Sequence, residues 1–337
     1  MKLNATASVA PSAELAETAA RLDHAGADGF HFAELMHDPF LGVATAAPGS
    51  SRLTYGTSIA LAFTRSPTTL AHIANDLQVL TGGRFVLGLG TQIKPHIERR
   101  FGLTWDRPVQ RFRETVLAMR AVWKAWESGE PLKFQGEIFN LSLMTPAFSP
   151  PLPAQGPPPV YLAAVGPQMA EMAGEVADGL FVHAFTTADY VRNVLLPAVE
   201  RGLAKSGRSR ADFQVCLPAF IADTTMPDAS AQARNSVAFY ASTPNYRGVL
   251  EQHGLEDLQP RLRRMTVEGA WDRIADEISD EVLDLFCISG DPAGLCAGFA
   301  KRWGGLVDQV SLPVDYWLRH ENNPDWKAGS AKLIEGS

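Results

Sequence analysis

Glu34, His37 and Asp38 lie close together in the sequence, directly after an apolar run. A neighbouring carboxylate and imidazole can exchange a proton near neutral pH. Glu34 ends the apolar run, where an ionised side chain is costly to bury unless it serves a purpose. We therefore predict that Glu34 and His37 are catalytic acid/base groups. Asp38 precedes Pro39 and is the predicted N-cap of the following helix.

A second apolar run ends in small and polar residues: Gly88, Gly90, Thr91 and Gln92. Glycine has no Cβ, so a flat ring or a phosphate could lie directly against this main chain. Thr91 and Gln92 could hydrogen-bond the polar edge of such a ring. The alternative is a tight strand-to-helix turn that needs small residues for its own packing.

A third apolar run, starting at Val160, ends in the same way. Its last residues and the helix start that follows are Ala164, Val165, Gly166, Pro167, Gln168 and Met169. Pro167 suits a first helical position, and the free N–H groups of a first turn suit a phosphate. Any well-formed helix start has these features, so the structural alternative stays open. Two strand ends opened by small residues indicate one large ligand on one face of the protein.

Four further basic side chains are candidates for weaker roles. His96 and Arg100 are one helical turn apart and could bind an anionic substrate or an acidic cofactor tail, or form a solvated face. His183 ends another apolar run and could contact a cofactor tail or cap a helix. His31 lies between Phe30 and Phe32, where we expect a core histidine whose ring is satisfied by its surroundings.

Composition limits the partners of this chain of 337 residues. The net charge is -7, and no basic stripe interleaves with aromatics, which argues against nucleic acid and anionic membranes. No apolar run is long enough to span a bilayer, and the N-terminus lacks the apolar core of a signal peptide, so we predict a cytoplasmic protein. Three cysteines without a CxxC pair argue against a disulfide framework or a metal site.

Strand-like runs alternate with amphipathic helical runs along the chain, which predicts parallel βαβ units. The predicted strands are Lys2–Val9, Gly29–Glu34, Leu53–Leu61, Phe85–Leu89, Val160–Val165, Gly179–His183, Phe213–Ala222 and Val307–Leu312. Eight such strands predict an α/β fold, a single (β/α)8 TIM barrel over residues 1–337. Its active site should lie at the carboxyl ends of the strands.

Two insertions interrupt this spacing. Residues 127–159, after strand 4, contain a predicted hairpin (134–141) and a proline-rich stretch, which is stiff and extended, or else links two domains. Residues 227–305, between strands 7 and 8, are predicted to be mostly helical and could form a lid.

With these motifs in order, the chain resembles the luciferase-like monooxygenase superfamily, specifically the branch that uses coenzyme F420, a deazaflavin. The segments that carry the resemblance are Gly26–Gly29, His37–Phe40, Gly56–Ile59, Gly82–Thr91, Val160–Met169 and Ala173–Gly179. The resemblance implies a luciferase-like TIM barrel and a homodimer.

The resemblance also implies where the cofactor lies. The family places a non-prolyl cis peptide at the position of Ser58-Ile59, beside the deazaflavin ring, and the cofactor phosphate at the helix start after Gly166. Two positions depart from the sugar-phosphate dehydrogenases of the family. Leu35 stands where they have histidine, and Ile93-Lys94 where they have glutamate. A sugar-phosphate substrate is therefore in doubt.

The function that the resemblance implies is hydride transfer between C5 of coenzyme F420 and a small organic substrate. An FMN-dependent monooxygenase of the same fold is the first alternative. A metal-dependent barrel hydrolase is a second, although the first strand lacks the paired histidines that such enzymes place there. A non-catalytic flavin-binding barrel is a third, because fold does not fix function.

Overall fold

The computed structural model describes residues 1–335 and contains a closed barrel of parallel strands. Its strands are β1 (Lys2–Ala7), β2 (Gly29–Phe32), β3 (Thr54–Thr57), β4 (Phe85–Gly90), β5 (Val160–Ala164), β6 (Gly179–Val182), β7 (Gln214–Pro218) and β8 (Gln309–Pro313). Each strand pairs in parallel with the next, and β8 pairs with β1, which closes the circle. The predicted TIM barrel is confirmed.

Helices surround the barrel in the order that the sequence predicts. They are α1 (Glu14–His24), α2 (Pro39–Ala46), α3 (Pro67–Leu80), α4 (Lys94–Arg99), α5 (Pro108–Ser128), α6 (Pro167–Val176), α7 (Ala188–Tyr190), α8 (Leu196–Ser206), α9 (Ala229–Ala241), α10 (Arg247–Glu251), α11 (Leu258–Val267), α12 (Asp280–Phe286), α13 (Pro292–Trp303), α14 (Val314–His320) and α15 (Pro324–Glu335). None of these helices is long and apolar enough to cross a membrane.

Two predicted strands are broken in the structure. The third stops at Thr57, and a short segment, Ala60–Leu61, resumes pairing with β4. The sequence predicts one continuous seventh strand to Ala222, and this prediction is wrong. The chain leaves the barrel after Pro218, and Phe220–Asp223 pairs with Cys287–Gly290 in a separate two-stranded parallel sheet. Continuous hydrophobicity cannot distinguish one long strand from two that serve different sheets.

The two inserted segments differ in character. Residues 127–159 hold the predicted hairpin, with Phe134–Gln135 paired to Asn140–Leu141. Residues 227–305 are largely helical, as predicted, but also contribute the Cys287–Gly290 strand. Tyr240 and Tyr246 of this second segment reach the end of β6.

Side chains alternate between the barrel interior and the surrounding helices, as strand geometry requires. Near the amino ends of the strands, the Asn4 amide donates to Gln309 at 2.9 Å, and the Gln309 amide donates to Gln214 at 3.2 Å. Farther along the strands, an apolar cluster occupies part of the interior, where Tyr161 packs on Phe181 with ring centroids 5.8 Å apart. The barrel therefore has a polar floor with an apolar cluster above it.

Three aspartates lie immediately before β2, β6 and β8, and each bonds the strand that precedes its own in the barrel. The Asp28 carboxylate accepts from the N–H of Leu3 at 2.8 Å, Asp178 from Val160 at 2.8 Å, and Asp308 from Val215 at 2.7 Å. Two of these aspartates belong to the Ala-Asp-Gly motifs that the sequence repeats before β2 and β6. Each fixes the start of one strand relative to the next.

Candidate functional site

Glu34 follows β2 at the barrel mouth and is held on two sides. One carboxylate oxygen accepts from the Arg65 guanidinium at 2.7 Å and from the backbone N–H of Leu61 at 2.8 Å. Arg65 also donates to Asp38 at 2.9 Å. Asp38 in turn caps α2 through the N–H groups of Phe40 and Leu41, as predicted. Glu34 is therefore a paired carboxylate that is tied to the segment after β3.

That segment contains a cis peptide bond between Ser58 and Ile59, as the sequence resemblance predicts. The Ser58 N–H donates to the carbonyl of Phe32 at 2.7 Å, and the Ile59 carbonyl accepts from the N–H of Glu34 at 3.0 Å. Together with the Leu61 contact, Glu34 bonds both sides of this turn. The side chain of Ile59 packs with the apolar cluster inside the barrel.

Gly88 is required by the protein's own packing, whereas Gly90 lies close to a side chain that can shift. A Cβ at Gly88 would overlap the carbonyl oxygen of Thr57, and one at Gly90 would lie 2.6 Å from the Ile59 side chain. Thr57 also hydrogen-bonds both the N–H and the carbonyl of Gly88. Tight packing therefore accounts for Gly88, and contact of either glycine with a cofactor stays a prediction. Their smallness lets the turn after β3 lie against β4, and it leaves Ile59 beside Ala163 at the mouth.

Thr91 and Gln92 make local hydrogen bonds just beyond β4. The Thr91 hydroxyl donates to the Gln92 carbonyl at 2.9 Å, and the Gln92 side-chain oxygen accepts from the N–H of Ile93 at 3.0 Å. Gln92 adopts a left-handed conformation, with φ 63°. These bonds shape the turn into α4 and place both residues at the mouth, where they are partly exposed.

The start of α6 provides open space next to free backbone groups. Pro167 is its first residue, Gly166 is its N-cap, and no side chain caps the helix. A Cβ built at Gly166 would meet no atom within 4 Å, unlike one at Gly88. The predicted stretch from Ala164 to Met169 thus ends β5 and begins α6 as expected, with Gln168 exposed and Met169 half-buried. An anion can approach this helix end without displacing protein atoms.

His183 lies just beyond β6 in an aromatic cluster. Its Nδ1 accepts from the N–H of Phe185 at 3.0 Å, so the ring proton resides on Nε2, which faces the Tyr246 hydroxyl at 3.1 Å. Tyr240 and Tyr246 pack on the ring at 4.7 and 4.5 Å. Burial lowers the pKa of His183 to about 4. The imidazole is therefore neutral at physiological pH and covered by the second insertion.

Three further candidates, His37, His96 and Arg100, lie on the loop after β2 and on or next to α4. His37 is half-buried in the loop after β2, and its side chain forms no hydrogen bond or ion pair within residues 1–335. His96 is exposed on α4. Arg100, at the end of the same helix, donates to the carbonyl of Leu35 at 3.2 Å. The structure thus connects α4 to the loop after β2 through Arg100, and no hydrogen bond or ion pair joins Glu34 to His37 within residues 1–335.

The surroundings of His31 differ in one respect from those that the sequence predicts. The ring is buried inside the barrel, with 1% of its surface exposed, but neither ring nitrogen has a hydrogen-bond partner within residues 1–335. Its ring meets that of Phe181 edge-on at 6.3 Å. The prediction of a satisfied core histidine is therefore right about burial and wrong about hydrogen bonding. The flanking Phe30 and Phe32 turn outward into the helix layer, which leaves His31 facing the interior.

Three residues of the site were not predicted. Arg65 pairs with Glu34 across 31 positions of sequence, and Tyr240 and Tyr246 come from the second insertion. Arg65 does carry a local signal, because it directly precedes the Ser66-Pro67 start of α3 at the mouth. The two tyrosines lie in a helical region, and nothing in the sequence pattern there indicates that they contact the end of β6.

Comparisons with known proteins agree with the barrel fold described above. A family model described as luciferase-like monooxygenase matches residues 2–309. An uncharacterized protein from Mycobacterium tuberculosis is 44% identical over 306 residues, 90% of each chain. An F420-dependent glucose-6-phosphate dehydrogenase from Intrasporangium calvum is 30% identical over 293 residues, 84% of this chain and 78% of that protein. The solved structure of a coenzyme F420 dependent tetrahydromethanopterin reductase from Methanopyrus kandleri has the same fold. Its TM-score is 0.75 at 21% identity, over 99% of this chain and 96% of that one.

Proposed function

The chain belongs to the luciferase-like monooxygenase family, and from this premise we propose that it is an oxidoreductase dependent on coenzyme F420. The reaction is hydride transfer between C5 of the deazaflavin and a small organic substrate. The observation that carries the proposal is the open, uncapped start of α6 at Gly166, set beside an apolar surface at the barrel mouth. The 30% identity to an F420-dependent dehydrogenase supports the choice of cofactor.

The residues at the mouth fit both ends of such a cofactor. The apolar side chains of Ile59 and Ala163 suit the face of a flat ring. The first turn of α6 suits a phosphate, because its N–H groups and the helix dipole favour a negative charge and Gly166 leaves room for it. The bound cofactor would supply the hydride, while the protein fixes its orientation and excludes water.

In this proposal Glu34 and His37 have different roles. Glu34 is a positioning residue, since its carboxylate is already engaged by Arg65 and Leu61 and braces the turn at Ser58-Ile59. His37 is the free group of the two and would move the proton that accompanies hydride transfer. Arg100, which contacts the loop that carries His37, and the exposed His96 would face the substrate or the acidic cofactor tail.

An FMN-dependent monooxygenase is the second candidate, favoured by the family description itself. The same apolar surface and the same helix start would hold the ring and phosphate of FMN. A homodimer and a cytoplasmic location remain expectations from the sequence.

Titration of the purified full-length chain with coenzyme F420, and separately with FMN, tests the proposal through ring fluorescence. We expect tight binding of the deazaflavin and weaker binding of FMN. Reduced F420 would then be mixed with candidate carbonyl, imine and alkene substrates, and its reoxidation followed by absorbance without oxygen. The reverse cofactor preference would move the protein to the monooxygenase branch, and binding of neither would reject both functions.

A further inference from the structure

The hydroxyl group of Tyr246 reaches from the second insertion to the end of β6, and the proposed function gives it no role. Its oxygen lies 3.1 Å from Nε2 of His183. Nδ1 of the same ring accepts the N–H of Phe185 at 3.0 Å, so Nδ1 carries no proton. The ring proton therefore resides on Nε2, and His183 donates to the oxygen of Tyr246.

This direction leaves the hydroxyl proton of Tyr246 free. An oxygen that accepts from Nε2 has its own O–H pointing elsewhere, and no acceptor for that O–H lies within residues 1–335. Burial, and to a smaller extent the neighbouring Tyr240, raise the pKa of Tyr246, so the hydroxyl keeps its proton. Tyr246 is half-buried, in contrast to Tyr316, whose unpaired hydroxyl is enclosed. The chain of hydrogen bonds through His183 thus ends in a free donor, and each bond in such a chain strengthens the next.

The free donor lies on the side of the mouth where α6 begins. β5 and β6 pair in parallel to their last residues, so His183, which follows β6, is level with Val165, which follows β5. The residue after Val165 is the N-cap of α6. The carbonyl of Val165 accepts from the Tyr190 hydroxyl at 3.2 Å, and a Cβ at Gly248 would lie 3.6 Å from that hydroxyl. The segment that carries Tyr246 therefore covers the end of β5 next to α6.

A second hydrogen bond holds this segment on the loop after β6. Nε2 of His253 lies 2.8 Å from the Thr187 hydroxyl, which also accepts the N–H of Tyr190. Between the two contacts, Arg247 and Glu251 of α10 pair with each other at 2.9 Å. The segment is thus fixed at both ends, and the charges of α10 offset each other, so this helix has no net charge that would repel an anion.

We propose that Tyr246 donates a hydrogen bond to the cofactor phosphate at the start of α6. This inference rests on the proposed function, because it needs a phosphate beside Gly166, where a Cβ would meet no protein atom within 4 Å. Hydrogen bonds to ionised groups are shorter and stronger than those between neutral groups, so a phosphate oxygen is a favourable acceptor. The uncapped N–H groups of α6 supply the backbone donors. Tyr246 would add a side-chain donor, which makes the second insertion part of the phosphate site.

The experiment compares full-length wild type with Tyr246→Phe, which keeps the aromatic ring and removes the hydroxyl. Three ligands are titrated by ring fluorescence: coenzyme F420, the deazaflavin 5′-phosphate without the acidic tail, and the deazaflavin with its ribityl chain but no phosphate. We expect the variant to bind the first two about tenfold more weakly, the loss of one hydrogen bond to a charged group. The third should bind both proteins equally. The ³¹P resonance of the bound 5′-phosphate should also differ between the two proteins.

Tyr316→Phe is the matched control, because the hydroxyl of Tyr316 is enclosed and unpaired within the described chain. It should bind all three ligands as the wild type does. An equal loss of affinity for the three ligands would overturn the inference and assign Tyr246 to packing. Unchanged affinities would overturn it as well, and a loss for F420 alone would do so by assigning Tyr246 to the acidic tail. All three results leave the proposed function intact, whereas a wild type that binds no deazaflavin rejects that function first.

Discussion

Glu34 and Arg65 form an ion pair of 2.7 Å at the barrel mouth, and the same carboxylate oxygen accepts the backbone N–H of Leu61 at 2.8 Å. Their side chains are only 12% and 16% exposed, in contrast to most ion pairs of the chain. A charge removed from such a pair leaves its partner partly desolvated and unpaired. Glu34 therefore links β2 to the segment that follows β3.

Replacement of Glu34 should destabilise the protein. We expect Glu34→Ala to lower the free energy of unfolding by about 1–3 kcal/mol, because Arg65 keeps Asp38 while Leu61 loses its acceptor. Glu34→Gln should cost less, since its amide oxygen can still accept from Leu61. Urea denaturation measures both. The control is Glu321→Ala, which breaks the more exposed pair with Arg21 and should cost at most about 1 kcal/mol. Equal losses at the two sites would contradict this account.

Gly88→Ala should be poorly tolerated. Its Cβ would overlap the Thr57 carbonyl oxygen, which is backbone and cannot rotate away. We expect the free energy of unfolding to fall by about 2 kcal/mol or more, as in overpacked cores. Chemical denaturation provides the measurement. A variant as stable as the wild type would show that β3 and β4 can separate without penalty.

In contrast to Gly88→Ala, Gly166→Ala should leave stability nearly unchanged and weaken the binding of F420. The added methyl group meets no protein atom within 4 Å, and the residue's φ of -103° suits alanine. Stability should change by no more than about 0.5 kcal/mol, while affinity for F420 falls because the methyl group occupies space next to the phosphate. A deazaflavin fragment without the phosphate should bind both proteins equally. Unchanged F420 affinity would contradict the proposal that the cofactor phosphate binds at the start of α6.

The stability of the protein should decline as the pH falls from 6.5 to about 4. Burial lowers the pKa of His31 from 6.5 to about 4, so between these values the unfolded chain binds a proton that the folded protein does not. The resulting slope from this one residue approaches about 1.4 kcal/mol per pH unit, and it vanishes well above the unfolded pKa. Urea denaturation at several pH values should show a shallower decline for His31→Leu. If the stability of the wild type and of His31→Leu declined equally with falling pH, His31 would be protonated inside the folded barrel.

His37 should affect chemistry and leave binding unchanged. Once a substrate is found, we expect His37→Asn to slow hydride transfer about 100-fold, the contribution of a typical acid/base group, with the affinity for F420 preserved. Stopped-flow absorbance gives the rate and fluorescence titration the affinity. His24→Asn, at the exposed end of α1, serves as the comparison and should retain most of the rate. Similar rates for His37→Asn and wild type would assign proton transfer elsewhere.

The sequence predicts the barrel and the placement of its mouth because hydrophobic runs and helix caps are local features. Asp38 and Gly166 lie where their neighbours place them. The partner of Glu34 could not be predicted, since Arg65 is 31 residues away and only closure of the barrel brings the two together. The two tyrosines on His183 likewise depend on how the second insertion folds back.

The sequence also could not predict whether the ring nitrogens of His31 have hydrogen-bond partners. A histidine between two phenylalanines is the pattern of a buried strand, and burial follows from it. Whether a buried nitrogen finds a partner depends on which strands lie opposite, here β3 with Gly56 and β6 with Phe181. Glycine and phenylalanine offer no side-chain acceptor, and that combination becomes visible only in three dimensions.

The three aspartates at the amino ends of β2, β6 and β8 have a consequence at the opposite end of the barrel. Each holds its strand at one height relative to a neighbour through a single carboxylate. A shift of one residue in a parallel strand would turn every inward side chain outward. His31 would then face the helices, and Phe30 and Phe32 would fill the interior. The alignment of these strands at the barrel mouth is therefore set in part by carboxylates at the opposite end of the barrel.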